Sequence, residues 1–261
     1  MLDWSMSTIC IYCTQSTTGD LTRAHVFPEA LGNRDLILPA GTVCEKCNQY
    51  AGHELESALV AHPWIAMALH FWGVHGKQGR IRQQLGTVVS QPSEPGTVTM
   101  KFSIAAPKLS FHADGLVEMQ ATATTPTDFR LDRFRRALHY LGMNVVAYLE
   151  GGSSVLEPKY DPVRNYVRRP RNRREAWIYS EDSPPVKHIP LVLDANVLET
   201  PRGKIVVLQL FQTVYGVDLL NSGDLRAAAT EPDLRIVDED VRELPPVIIH
   251  VKAQPKSPPA A

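Results

Sequence analysis

Four cysteines, Cys10, Cys13, Cys44 and Cys47, are all that this 261-residue chain contains, and they stand as two C-x2-C pairs. Each pair sets two sulfurs on one tight turn, and two such turns facing each other make the tetrahedral four-sulfur shell that structural zinc prefers. A chain that must bring residues 10 and 47 into one coordination sphere has little freedom over the segment between them. Disulfides are the competing reading of the same residues. The opening stretch Met1-Leu2-Asp3-Trp4-Ser5-Met6-Ser7 shows no charged segment followed by an apolar run, the pattern of an export signal. Without export, paired cysteines favour a metal over disulfides.

The loop between the pairs is long enough to hold structure of its own, and it contains Thr22-Arg23-Ala24-His25-Val26-Phe27-Pro28-Glu29-Ala30-Leu31-Gly32. The second pair runs on as Cys44-Glu45-Lys46-Cys47-Asn48-Gln49-Tyr50-Ala51-Gly52-His53-Glu54-Leu55-Glu56. Together these segments resemble the HNH endonucleases. The similar branch reads C-x2-C, then a histidine followed by an apolar pair and Pro, then C-x2-C-N-x3-G-x2-L-[DE]. The resemblance covers about the first quarter of the chain; the joint pattern is specific although each piece alone is weak.

The resemblance implies a ββα-metal module stabilised by zinc. In it His25 would be the general base, Asn48 a ligand of a catalytic magnesium or manganese ion, and Glu56 a further ligand or orienting carboxylate. These residue types suit phosphodiester hydrolysis. A neutral imidazole can take a proton from water near neutral pH, and a hard cation held by oxygen ligands offsets the charge that builds on the phosphoryl oxygens. Asn48 follows a zinc thiolate directly, so the zinc would fix its position. One departure matters: most of the family carries Asp, Glu or His before the base, and this chain has Ala24. Either Glu54, Glu56 or His53 replaces that ligand, or water and substrate phosphate hold the ion, or the module has lost activity. Asn33 lies where a side-chain amide could brace the loop carrying His25, although Asn after Gly also suits a plain turn.

Plainer roles exist for the same residues. His25 reads equally as a strand-end histidine, Asn48 as a helix N-cap, and Glu54 and Glu56 as solvated acids near a helix start. His53, His62, His70 and His75 read as packing or surface residues.

The remainder of the chain reads as a mixed α+β domain with mainly antiparallel strands, which makes the whole an α+β protein. An apolar share of 44% and a charged share of 21% are those of a globular chain with ample core. The apolar run from Pro63 to Val74 is too short to span a bilayer, so no membrane role and a cytoplasmic location are expected. Expected boundaries are 1–75 for the module, 76–253 for the accessory domain and 254–261 for a disordered tail. Leu55, Leu59, Ile65 and Leu69 keep helical spacing, with Pro63 as a kink or break. Short alternating stretches between Thr87 and Thr124 predict a small antiparallel sheet. Leu131, Phe134, Leu138, Leu141, Val145 and Tyr148 predict a helix capped by Asp128 and ended by Gly151-Gly152, with Arg133, Arg136 and Asn144 on its opposite face. Leu191-Val192-Leu193 and Lys204–Phe211 read as buried strands.

The formal net charge of −1 gives no global attraction to a polyanion. DNA binding would rest on Arg164, Arg168, Arg169, Arg171, Arg173 and Arg174, with Arg133, Arg135 and Arg136 near them in sequence. A solvated basic loop is the bland alternative. Tyr166 and Trp177 could stack on bases. The leading reading is a metal-dependent DNA endonuclease. Its rivals are a catalytically degenerate zinc-stabilised DNA-binding or adaptor protein, and a nuclease directed at RNA.

Overall fold

The computed structural model describes residues 9–62, 65, 66, 68, 69, 72–76, 79, 80, 83–85, 88–92, 98–102, 108–111, 116–121, 130–169, 174–179, 192–211, 213–228, 234–236 and 247–252. For 75–121 and 234–252 it describes backbone pairing alone.

The N-terminal module follows the ββα order with its strands shortened to a bridge. His25 faces Ile37 in that bridge, which is closed by the Val26 N–H on the Leu36 carbonyl at 2.9 Å and the Leu38 N–H on the Ala24 carbonyl at 2.8 Å. The connecting loop makes one 3₁₀ turn, Glu29–Leu31, and reverses at Gly32, whose φ of 93° suits glycine. Two short helices follow, α1 (Glu45–Ala51) and α2 (Ser57–Val60), joined without a break by a π-helical turn over Gly52–Glu56. Cys44, not Asn48, occupies the N-cap position of α1. Asp20 reaches across the loop and accepts the Glu45 N–H at 2.9 Å and the Thr22 N–H at 2.8 Å, satisfying one of the orphan donors of the helix start.

Antiparallel strands follow. β1 (His75–Gly76) pairs with β2 (Gly79–Arg80). β3 (Gln83–Leu85), β4 (Val88–Pro92) and β5 (Val98–Phe102) form a meander. β6 (Lys108–Phe111) and β7 (Leu116–Ala121) take the C-terminal strand as third member. The single small sheet expected between residues 87 and 124 is thus two three-stranded sheets, one completed by a strand more than a hundred residues later.

Helix α3 (Leu131–Glu150) is the centre of the molecule. Arg130 takes its N-cap position, Asp128 lies outside the described residues, and Gly151 ends the helix with φ of 92°. Every residue from Phe134 to Ala147 is buried, Arg135, Arg136, His139 and Asn144 included. Of the expected polar face, Arg136 and Asn144 are therefore buried while Arg133 stays half-exposed, because the helix is walled on both sides. One wall is the N-terminal module. The other is a five-stranded antiparallel sheet built from β8 (Ala176–Tyr179), β9 (Leu193–Glu199), β10 (Lys204–Leu210), β11 (Thr213–Asp218) and β12 (Leu234–Ile236) in the order β12-β8-β11-β10-β9. Gly142 permits that contact: a Cβ there would sit 2.9 Å from Val217 Cγ2 and 3.1 Å from Leu219 Cδ2. β10 lies inside the sheet and is almost wholly buried, whereas edge strand β9 alternates between half-buried and exposed residues.

Helix α4 (Asp161–Arg168), with Pro162 in its first turn, packs against α3, and α5 (Asp224–Ala228) against β11. β13 (Val247–Lys252) is the late partner of β7. Buried residues of the module, Cys10 through Leu69, join those from Phe134 to Leu219 in one continuous core. Leu55, Leu59, Ile65 and Leu69 all belong to it, as their spacing predicts. Pro63 and the 254–261 tail lie outside the described residues. Among the described residues, no helix is long and apolar enough to cross a membrane.

Candidate active site

The four cysteines converge. Their Sγ atoms lie within 4.8 Å of one another, Cys13 and Cys44 are 3.6 Å apart, and no disulfide joins them. A tetrahedral ion with sulfur ligands at about 2.3 Å sets its sulfurs roughly 3.8 Å apart, so the set fits one metal ion. Cys10 and Cys47 are buried while Cys13 and Cys44 are half-buried. The Cys44 N–H points at Cys10 Sγ at 3.4 Å. The hydrogen bond with Cys47 and the backbone N–H groups of Cys13, Cys44 and Tyr12 draw the Cys10 thiol down despite its burial, which favours the thiolate form that a metal needs.

His25 is half-exposed and stands on a stretch braced from two sides. Asn33, 7% exposed, donates from Nδ2 to the carbonyls of Phe27 at 2.7 Å and Leu36 at 2.9 Å, and its Oδ1 accepts the Leu36 N–H at 3.0 Å. It does brace the loop that carries His25, as its place in the sequence suggested. The second brace was not foreseen: Asn144 of α3 donates to the carbonyls of His25 at 3.2 Å and Val26 at 3.4 Å. Its only local sequence signal was an Asn amid the apolar stretch Leu141–Ala147 of that helix.

Asn48 is half-buried in the second turn of α1, its N–H bonded to the Cys44 carbonyl at 2.9 Å, so the knuckle sets its height along the helix. Glu56 is half-buried at the end of the π-helical turn. Its charge adds to burial in pushing the Tyr140 phenol up. A π turn displaces the residues after it around the helix axis, so the face on which Glu56 lies is not the one that 3.6-residue spacing predicts. Of the other substitutes for a ligand at position 24, Glu54 is paired with Arg133 at 3.0 Å and His53 is exposed. Ala24 itself is 1% exposed, packed into the core. Apart from the cysteines, no group of three His, Cys, Asp or Glu side chains among the described residues is close enough to hold an ion.

The arginines divide. Arg164 is 4% exposed and spends its guanidinium on the carbonyls of Ile11 at 2.8 Å and Val155 at 2.6 Å and on Asp161. Arg174 is buried and donates to the carbonyls of Asp218 at 3.0 Å and Leu219 at 2.7 Å. These two therefore leave the phosphate-binding set, because their donors face inward onto backbone. Arg136 also faces inward, donating to Val167 O at 2.6 Å, to Tyr166 O at 3.3 Å and to the Tyr50 hydroxyl. Tyr166 and Trp177 are buried too, and are not placed to stack on bases. Arg168 is half-exposed and Arg169 exposed; Arg171 and Arg173 lie outside the described residues. The Tyr50 hydroxyl donates to the Arg168 carbonyl at 3.1 Å, which seats the start of the arginine stretch beside α1, two residues from Asn48.

No curated protein and no solved structure matches the chain significantly. Residues 10–63 match the sequence model of the HNH endonuclease family, from the first knuckle to the end of α2 and including His25, Asn48 and Glu56. That span is the one in which the cysteines converge, so the family likeness and the metal-binding cluster fall on the same segment, an N-terminal module of HNH type.

Proposed function

We propose that this protein is a metal-dependent endonuclease that hydrolyses phosphodiester bonds in DNA. The observation that carries the reading is a half-exposed histidine whose carbonyl is held by the buried amide of Asn144 and whose loop is braced by the buried amide of Asn33, in the same module as a four-cysteine cluster. Zinc is the ion that suits the four thiolates, with a structural role. His25 accepts a proton from the attacking water, and Asn48 and Glu56 are the residues that would hold a magnesium or manganese ion. That ion supplies charge stabilisation at the phosphoryl oxygens. The products are a 5′-phosphate and a 3′-hydroxyl. Arg168 and Arg169, with Arg171 and Arg173 of the same stretch, bind flanking phosphates, and the α+β region after residue 75 positions the duplex. The protein acts in the cytoplasm.

One observation favours a second reading, a degenerate module that binds DNA without cutting it: Ala24 is sealed in the core where the family places a ligand. Supercoiled plasmid incubated with magnesium, manganese or EDTA separates the two. Nicking that needs both the ion and His25 supports the nuclease, and nicking that persists in His25→Ala sinks the role of that residue. Retained binding with no cleavage across varied DNA substrates supports the second reading.

A further inference from the structure

The short hairpin that carries His25 uses only one of its edges. Its hydrogen bonds run through the Ala24 carbonyl and the Val26 N–H, as for a residue pair that exchanges no bonds of its own, so the His25 carbonyl points away from the partner strand. A carbonyl turned inward against the rest of the protein needs a donor. The donor comes from 119 residues away, the Nδ2 of Asn144 at 3.2 Å.

Asn144 is 0% exposed, and both ends of its amide are committed. Two carbonyls, those of His25 and Val26, face its nitrogen. Its oxygen accepts the hydroxyl of Tyr12 at 2.6 Å, so reversing the amide would set oxygen against carbonyl oxygen. Tyr12 lies between Cys10 and Cys13, stacks on Tyr140 with ring centroids 5.1 Å apart, and its hydroxyl also approaches the Tyr140 carbonyl at 3.0 Å. One buried chain thus runs from the first cysteine knuckle through Tyr12 and Asn144 to the peptide that bears His25, and it passes through the helix that also carries the sheet.

We infer that Asn144 is a positioning residue for His25, setting the peptide from which the imidazole projects and tying it to the cysteine centre and to α3. The inference rests on the reading of His25 as the base. Asn33 holds the loop from within the module, whereas Asn144 makes the base geometry depend on the accessory region. Displacements of about 1 Å in a reacting group can cost on the order of a hundredfold in rate.

The test is Asn144→Leu, which keeps the volume and removes both polar ends, with Tyr12→Phe as a second variant that removes only the far end. Single-turnover cleavage and DNA affinity would be measured apart, and the His25 imidazole Hε1 resonance, assigned by its loss in His25→Ala, would be followed by NMR. We expect cleavage to fall roughly ten- to a hundredfold in Asn144→Leu and a few-fold in Tyr12→Phe. DNA affinity should stay within about twofold and the His25 resonance should move in both. Unchanged cleavage in a folded Asn144→Leu overturns the inference, as does an unmoved resonance in whichever variant folds. If the wild-type protein shows no cleavage dependent on His25, the assigned base fails, and the resonance alone then decides whether Asn144 sets that histidine.

Discussion

Residues 10–60 and residues 130–219 are held together by different forces. The first region has two isolated β-bridges, two short helices and a π turn, and its fixed points are four converging sulfurs and the side-chain amides of Asn33 and Asn144. The second has a twenty-residue helix buried over most of its length against a five-stranded sheet. A region with so little regular structure would draw much of its stability from an ion held by those four sulfurs, whereas a long helix on a sheet relies on apolar area removed from water. α3 belongs to both regions, since Gly142 presses on Val217 and Asn144 reaches His25. The site therefore shares one core with the helix and the sheet.

Removing the metal is the largest perturbation that can break this comparison. Structural zinc in small domains supplies on the order of 10 kcal/mol. Chelation, or Cys47→Ala, should abolish hydrogen-exchange protection around Val26 and Leu38 while amides of β10 stay protected. Loss of protection in both at once would show that the shared core makes one cooperative unit, and that the two regions differ in construction but not in stability.

Acid should act instead on α3 and on its seam with the N-terminal module. His62 stacks on Phe134 at 4.5 Å and meets Tyr215 edge-on, and His139 meets Tyr166 edge-on. Burial draws both imidazoles down to about 3, the Arg135 carbonyl opposing it at His139. The unfolded chain protonates these histidines below about 6.5 and the folded one only near 3, so the unfolded state binds more protons in between. Stability is present in full above about 6.5 and falls as pH drops toward 3, with a slope of up to about 3 kcal/mol per pH unit for the pair. Urea unfolding at pH 7 and 5.5 should show that loss, and His62→Leu should remove about half of the slope. An unchanged slope would mean that His62 charges without disrupting its stack.

What could be read from the sequence follows the same division. The cysteine spacing was legible because four ligands of one ion must meet wherever the intervening chain goes. Asn33 was legible because it acts within six residues of itself. Asn144 was not, since nothing local marks a partner 119 residues away, and its place beside Arg133 and Arg136 on the helical wheel suggested a wet face. Arg164 and Arg174 misled for a related reason. A run of arginines shows how much charge is present, but not which guanidinium meets an orphan carbonyl. The direction of Glu56 was not legible, because the π turn that rotates it has no compositional signature.

Arg136→Met tests the arginine braces at intermediate size. The guanidinium covers the Tyr166 and Val167 carbonyls at the end of α4, and the Tyr50 hydroxyl holds the next carbonyl. Methionine keeps much of the volume but leaves two buried acceptors without donors, at a cost of about 3 kcal/mol. The melting temperature should fall by roughly 10 °C. A loss below about 1 kcal/mol would show that water replaces the guanidinium and that this corner is not part of the core.

The smallest effect is expected at Glu54–Arg133, the ion pair at 3.0 Å that links the π turn to α3. Its side chains are 37% and 31% exposed, so solvent screens the attraction and both lose rotamer freedom in making it. A double-mutant cycle with Glu54→Gln and Arg133→Gln should give a coupling of about 0.2–1 kcal/mol, shrinking as salt rises. The pair crosses the same seam as Asn144, but at its wet rim. If its coupling exceeded about 1 kcal/mol and survived high salt, charge at the rim would be joining the two regions, and the contrast between a metal-held module and an apolar core would need a third, electrostatic element. A weak, salt-sensitive coupling would leave the buried contacts of α3 as what holds the regions together, with Glu54 free to exchange Arg133 for another cation at little cost to the fold.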